Sequence, residues 1–305
     1  MNNSLIILIL TAISCTLLGV FLLLRNLSML TDAISHTVLL GIVLAYFIVK
    51  DLDSPLLIIG ASMMGIITVY LIETIGNSKF AKYDDAIGIV FPILFSLAVV
   101  LISKFFRNAH LDIDIVLMGE VLFSSLIKTE IFGVKISTAI LYGLILLVLI
   151  VSFILSQYRK LKISTFDKDF AYLIGIPTAA IFYGLMTLTS ITTVISFNNV
   201  GAILVISFFI APAATAINFT KSLESTFIVS ILIAIANCIL GYILAIKINV
   251  SIAGAVSSVN MACYLASIIL KQYIDNSKIG NKQYTKEDKD ARDESAKGRI
   301  LNNHI

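Results

Sequence analysis

Residues Leu30–Val49 read LTDAISHTVLLGIVLAYFIV, a mainly apolar run of twenty residues that carries an acid and an imidazole near its start. The run is long enough to cross the hydrocarbon layer of a membrane as a helix. In a helix, Asp32 and His36 share one face, with Cβ atoms about 5 to 6 Å apart. Because ionisable groups inside an apolar span are costly, both are candidate functional residues.

The composition extends this interpretation to the whole chain. The 305 residues are 58% hydrophobic and 13% charged, with a mean hydropathy of +0.99. A soluble domain of this size could not hide so much apolar surface in one core. We therefore expect an all-α, polytopic membrane bundle in residues 1–274, with nine spans, or eight if one is re-entrant. The apolar windows are Leu5–Leu24, Leu30–Val49, Pro55–Ile75, Ala86–Ser103, Phe132–Ser156, Pro177–Ile195, Val200–Asn218, Thr226–Ile246 and Val250–Leu270.

Lysine and arginine in the short connections predict the orientation. One side collects nine of them, from Arg25 to Lys271, and the other side collects six, from Lys50 to Lys247. The richer side is expected to face the cytoplasm, which places the N-terminus outside and the C-terminus inside. Residues 275–305 are charged and poor in apolar side chains, so we expect a disordered cytoplasmic tail. The net charge of +3 gives no indication of nucleic-acid binding.

The segment Thr165–Pro177 predicts a short amphipathic helix lying parallel to the membrane on the cytoplasmic face. Thr165 or Asp167 can cap its start, and Gly175 can end it before Pro177 begins the next span. Its apolar face fits either a groove in a partner protein or the lipid headgroups. That face consists of Phe166, Phe170 and Leu173.

Two other segments carry distinctive residues. His110, Asp112 and Asp114 alternate along one connection, where they would either attract a cation or form a solvated acidic loop. Small residues beginning at Gly201 permit close helix approach, and Pro212 is expected to kink the span that contains it. The Gly201–Pro212 segment fits a transport pathway, a dimer seam or ordinary helix packing.

Four blocks of sequence, taken in this order, resemble the permease subunits of ATP-binding-cassette importers for manganese, zinc or ferrous iron. The resemblance runs from about Leu17 to Leu270 and implies the permease fold of the metal-chelate and vitamin B12-type importers. The family often has proline where this chain has Leu40, so a kink below the Asp32–His36 motif is not expected here. The blocks are Gly19–Gly41, Asp85–Phe91, Phe166–Pro177, and Val200–Leu204 together with Ala211–Ala216.

The resemblance implies partners and roles. The permease would be a homodimer or a close heterodimer in the lipid of a prokaryotic plasma membrane, with cytoplasmic ATPases below it and an extracellular metal-binding lipoprotein above. Asp32 and His36 would lie on the path of Mn²⁺, Zn²⁺ or Fe²⁺, which are cargo rather than permanently bound cofactors. A coupling helix at about 165–175 would contact the ATPase. The coupling residues would be Phe166, Asp167, Phe170, Ala171, Leu173 and Gly175.

One acid and one imidazole cannot complete the coordination of a transition metal, which takes four to six ligands. A second copy of the chain would supply two more. Mixed carboxylate and imidazole donors suit Mn, Fe and Zn, and an incomplete cage lets the ion leave. Two alternatives stay open. Asp32 could cap its helix while His36 hydrogen-bonds between helices, or Asp32 could orient the ring of His36 without touching the metal.

Other function classes are less compatible with the sequence. The chain has no Gly-x-x-x-x-Gly-Lys-Ser/Thr loop, so energy for an importer must come from a partner that hydrolyses ATP. It has no His-Glu-x-x-His motif, which disfavours a metalloenzyme. Its three cysteines are far apart and indicate packing residues. The remaining alternatives are an ion-gradient-driven transporter and a permease for haem, siderophores or cobalamin.

Overall fold

The computed structural model describes residues 2–51, 54, 56–78, 82–105, 128–131, 134–274 and 276. Within them it contains ten helices and one hairpin. The helices are α1 Asn2–Leu24, α2 Ser28–Val49, α3 Leu56–Gly76, α4 Tyr83–Phe105, α5 Thr138–Phe166, α6 Lys168–Leu173, α7 Thr178–Val200, α8 Ala202–Ile217, α9 Leu223–Ile248 and α10 Ile252–Ile274. The strands are β1 Lys128–Ile131 and β2 Val134–Ser137.

The predicted membrane bundle is confirmed for the described part of the chain. Eight of its helices are long and apolar enough to cross a membrane, and α8 is a shorter apolar helix of sixteen residues. The predicted window Val200–Asn218 therefore holds a short helix rather than a full-length span. A span count of eight, with a ninth helix too short to qualify, agrees with the expected range.

The span predicted at Phe132–Ser156 has the wrong boundaries. Residues Val134–Ser137 alternate apolar with polar side chains and pair as an antiparallel strand, with Lys135 opposite Glu130. The helix α5 starts only at Thr138 and then continues ten residues past Ser156 to Phe166. The extension contains arginine and lysines, which lower the hydropathy without disfavouring a helix. At 29 residues, α5 is about 44 Å long and extends beyond the hydrocarbon layer.

Helix α1 lies at the centre of the core. It packs against α5, α7, α8 and α9, and its side chains are largely buried. The approach to α8 is especially close, because a Cβ atom added at Gly19 would lie 2.0 Å from the carbonyl oxygen of Phe209. In the same contact, the hydroxyl of Thr16 on α1 donates to the backbone carbonyl of Phe208 on α8 at 3.2 Å. Small and hydroxyl side chains therefore hold α1 against α8, as expected for membrane helices.

Helix α2 is held between α3, α4 and α7. Gly41 and Gly60 let α2 and α3 come close, since a Cβ atom at Gly41 would lie 2.4 Å from the Gly60 carbonyl oxygen. Further along, the hydroxyl of Thr68 donates to the hydroxyl of Thr37 at 2.8 Å. These contacts fix the rotation of α2 and hence the face on which Asp32 and His36 lie.

A chain of buried amides joins the last three helices. The side-chain nitrogen of Asn237 donates to the oxygen of Asn260 at 2.8 Å, and the nitrogen of Asn260 donates to the hydroxyl of Ser207 at 2.9 Å. Their helices are α9, α10 and α8, respectively. Most of α10 is exposed, so these bonds inside the apolar bundle anchor it to its neighbours.

One end of the bundle carries α6 and is called the α6 end. It comprises the turn at residues 25–27, residues 77, 78 and 82, the segment 167–177 and the turn at 218–222. Side-chain bonds hold these parts together. The hydroxyl of Tyr183 donates to the carboxylate of Glu73, and Lys162 pairs with Glu224 at 2.7 Å. The hairpin and the turn at residues 249–251 lie at the opposite end.

Candidate metal-binding and coupling sites

Asp32 and His36 lie one turn apart inside α2. The helix begins at Ser28, and the residue before it makes no side-chain capping bond. Asp32 is therefore the fifth residue of the helix and does not cap it, so the capping alternative raised from the sequence is wrong. Asp32 remains free to act as a ligand or as a partner of the imidazole.

The two side chains meet on one face of α2. Nε2 of His36 lies 3.5 Å from Oδ1 of Asp32. The side chain of Asp32 is 45% exposed and that of His36 is 28% exposed in the single chain. An acid and an imidazole at this distance can both bind one ion placed between them, and the exposed fraction leaves room for further ligands.

The other polar side chains in this part of α2 are satisfied by their own helix. Ser35 donates to the carbonyl of Thr31 at 2.6 Å, and Thr37 donates to the carbonyl of Ala33 at 3.0 Å. Their hydroxyl protons are thus used within the helix, and both side chains are buried, unlike the partly exposed Asp32 and His36. Among the residues that the structure describes, no group of three or more His, Cys, Asp or Glu side chains could hold a metal. Within the described residues, the Asp32–His36 pair therefore offers two potential donors.

The imidazole of His36 packs against two rings of α4. Its centroid lies 5.1 Å from that of Phe91 and 5.4 Å from that of Phe95. Its Nδ1 is buried and has no hydrogen-bond partner in the described part of the chain. Nothing in the sequence alone gives these rings a role at the site. Their four-residue spacing predicts a shared face of α4, but only the packing of α4 on α2 places that face against His36.

The short helix predicted at about 165–175 is α6, with bounds Lys168–Leu173. Of the two candidate caps, Asp167 is the one used, because its carboxylate accepts a 2.8 Å bond from the backbone N–H of Phe170. Gly175 follows the helix with φ of +79°, a backbone conformation that favours glycine. Pro177 directly precedes α7.

The predicted coupling residues divide between two helices. Phe166 is the last residue of α5, so it does not continue the helical spacing of Phe170 and Leu173; the extended backbone of Asp167 separates them. Phe166, Phe170 and Leu173 are all exposed, and Leu173 is exposed to 80%. Ala171 is buried instead, so it anchors α6 to the bundle. Exposed apolar side chains on an anchored helix form a suitable docking surface.

Arg25, in the turn before α2, is hydrogen-bonded to the last turn of α5, just before α6 begins. Its Nη2 donates to the hydroxyl of Ser164 at 2.8 Å, and its Nε donates to that of Thr165 at 3.0 Å. Burial lowers the pKa of Arg25 to about 10, so the guanidinium stays charged at neutral pH. The sequence around Arg25 indicates only an orientation, because no nearby residue shows that its side chain contacts α5.

A cavity of about 490 Å³ opens beside Arg25 at the α6 end. Its wall combines both signs of charge with hydroxyl and amide groups. Glu73 accepts its bond from Tyr183 at the edge of this cavity. The charged residues of the wall are Arg25, Glu73, Asp84 and Lys168.

The other predicted pathway residues, Gly201 and Pro212, do not lie on α2, which carries the Asp32–His36 pair. Gly201, with φ of +85°, forms the break between α7 and α8, and Pro212 is buried inside α8, which continues through it. His110, Asp112, Asp114 and the tail at 277–305 lie outside the described residues.

Comparison with known proteins gives consistent matches over most of the chain. Residues 1–271 match the model of a family described as the ABC 3 transport family. The chain is 42% identical to the manganese transport system membrane protein MntD of Bacillus subtilis, covering 86% of this chain and 88% of that protein. It is 40% identical to the zinc transport system membrane protein TroD of Treponema pallidum, covering 83% and 69%.

A solved structure shares the fold. PsaBC from Streptococcus pneumoniae, in complex with a Fab, includes a chain that superposes with a TM-score of 0.72 at 28% identity. The superposition covers 87% of this chain and 90% of that one.

Proposed function

Because the chain belongs to the ABC 3 transport family, we propose that it is the membrane-spanning permease subunit of an importer that carries a divalent transition metal into a prokaryotic cell. The cargo is Mn²⁺, Zn²⁺ or Fe²⁺, ions that accept carboxylate and imidazole donors. Two relatives are manganese and zinc transport proteins by name, which supports this class of cargo. No permanently bound cofactor is part of the proposal.

The observation that carries the metal proposal is the Asp32–His36 pair, 3.5 Å apart and partly exposed on an apolar helix. A carboxylate facing lipid would be costly, so the exposed face requires a polar neighbour. A second copy of the chain, identical or closely related, would provide one and would raise the donors from two to four. Such a site, completed by water, binds an ion and still releases it.

The α6 end is the proposed ATPase side. An anchored helix with exposed Phe170 and Leu173 supports docking of a cytoplasmic ATP-binding-cassette ATPase there. The α6 end would then face the cytoplasm, as would the end of α10. The metal-binding lipoprotein would dock at the opposite end. We propose residues 1–274 as the permease domain and residues 275–305 as a cytoplasmic tail.

Uptake of radioactive Mn²⁺ and Zn²⁺ by cells that lack their own importer, complemented with this permease and its partners, tests the site. Asp32→Ala or His36→Ala should reduce uptake at least about tenfold, since each removes half of the donors of one chain. Dimer assembly in detergent should persist. Ser35→Ala, a buried change on the same turn, is the control. Undiminished uptake by the Asp32 and His36 variants would overturn the assignment.

Reconstituted vesicles test the energy source. Uptake should require both the ATPase subunit and ATP, because the chain has no phosphate-binding loop of its own. Uptake that persists without the ATPase but follows an ion gradient would instead identify a secondary transporter. Uptake of haem or a siderophore in place of the bare ion would show that the cargo is a metal complex.

A further inference from the structure

The imidazole of His36 has an unusual environment for a metal ligand. A metal-binding histidine normally donates its second ring N–H to a carboxylate, a backbone carbonyl or water, and this bond fixes the ring. In the described part of the chain, Nδ1 of His36 is buried and makes no hydrogen bond, while Nε2 lies beside Asp32. Beside the contact of Nε2 with Asp32, packing against neighbouring side chains can therefore contribute to the orientation of the ring.

Phe91 and Phe95 provide that packing. The planes of His36 and Phe91 are inclined at 35°, and those of His36 and Phe95 at 73°. The centroid distances of 5.1 and 5.4 Å fall within the range of favourable aromatic pairs. The two phenylalanines are themselves 6.2 Å apart, so the imidazole meets two differently inclined walls from one face of α4.

We propose that Phe91 and Phe95 are positioning residues for metal binding, which hold the His36 ring with Nε2 beside Asp32 and with Nδ1 buried. The proposal rests on the proposed function, because it assumes that His36 meets the transported ion. Neither phenylalanine touches the metal. They act through the orientation of the ligand.

Rotation about the Cβ–Cγ bond of histidine has only broad preferences, so an unpacked imidazole samples many orientations. Ring packing reduces this freedom before the ion arrives. It does not raise the basicity of the ligand, as a hydrogen bond to Nδ1 would. A ligand that is oriented but not strengthened matches the need of a transport site, where the ion must also leave.

The same two helices offer a matched control. Phe47 of α2 and Phe105 of α4 pair at 5.4 Å with an interplanar angle of 72°, nearly the geometry of His36 with Phe95. They lie eleven and ten residues further along their helices. Replacing both with leucine removes two rings from the α2–α4 contact without touching His36.

Histidine-selective NMR on the full-length permease in detergent micelles tests the proposal, with Zn²⁺ as the probe. The chain has only three histidines, so the His36 signal can be assigned from its loss in His36→Ala. In the Phe91→Leu/Phe95→Leu variant, the Zn²⁺ concentration that half-shifts this signal should rise about fivefold. The ring-current contribution of Phe91 and Phe95 to the His36 proton shifts should also be lost, in the absence of metal.

The Phe47→Leu/Phe105→Leu variant should match the wild type in both measurements. Equal Zn²⁺ responses in the wild type and the Phe91→Leu/Phe95→Leu variant would overturn the positioning role and leave the metal pair intact. A wild-type His36 signal that ignores Zn²⁺ would overturn both proposals. If the double variant does not fold, Phe95→Leu alone should lose the ring-current contribution of Phe95 and show a smaller loss of affinity.

Discussion

The Nη2 atom of Arg25 donates a 2.8 Å hydrogen bond to the hydroxyl of Ser164, joining the turn before α2 to the last turn of α5. The bond therefore links the two segments of chain that lead into the candidate sites. The helix after Arg25 carries Asp32, and the residues after Ser164 lead directly into α6. Movement imposed on α6 by a partner would therefore reach the start of α2 through side-chain hydrogen bonds.

Loss of this junction should weaken the link between ATP hydrolysis and transport. Arg25→Ala removes bonds to both Ser164 and Thr165, which should cost about 2 kcal/mol of stability, as expected for a charge-assisted contact. Metal transported per ATP hydrolysed in vesicles should fall severalfold. Arg159→Ala, which removes an exposed arginine of α5, is the control. A normal transport ratio in Arg25→Ala would show that coupling does not pass through this junction.

The exposed face of α6 should determine ATPase binding. Leu173→Glu places a charge on a side chain that is 80% exposed, so the permease should fold normally. Its affinity for the ATPase in detergent should fall about tenfold or more, because an apolar contact is replaced by a desolvated charge. Val250→Glu makes an equivalent exposed change at the opposite end. If both variants bind the ATPase equally well, α6 is not the docking helix.

Close contact between α1 and α8 should depend on a glycine. Gly19→Ala would place a carbon 2.0 Å from the Phe209 carbonyl oxygen, and the two helices must separate to accept it. We expect a loss of about 1 to 3 kcal/mol, measured by thermal unfolding in detergent. Gly88→Ala in α4 is the matched change, since a Cβ atom there meets nothing within 4 Å. It should be neutral or stabilising by up to about 1 kcal/mol. Equal effects at the two glycines would contradict the close packing.

Sequence patterns predicted those features that depend on neighbours along the chain. Hydropathy located the membrane helices because each span must satisfy its own backbone within the apolar layer. Spacing placed Asp32 and His36 on one face, and turn chemistry predicted Gly175 after α6 and either Thr165 or Asp167 before it. The predicted bounds of α5 were wrong at both ends. Its charged extension lowers the hydropathy although it is helical, and residues Val134–Ser137, before Thr138, form a strand.

Features that depend on contacts between helices could not be predicted in the same way. In the sequence, Phe91 and Phe95 cannot be distinguished from other apolar residues, because the sequence of α4 does not show which of its faces contacts His36. Arg25 read as an orientation signal, although it bonds to residues about 140 positions away. Sequence spacing within one helix does not determine how a second helix is rotated against it.

Helix α8 has a consequence for the surrounding bilayer. Its sixteen residues measure about 24 Å, which is roughly 6 Å less than the hydrocarbon thickness. Because α1, α7 and α9 pack around it, protein covers most of this short helix, and we expect little thinning of the lipid there. Changes in acyl-chain length therefore act on the lipid-exposed helices.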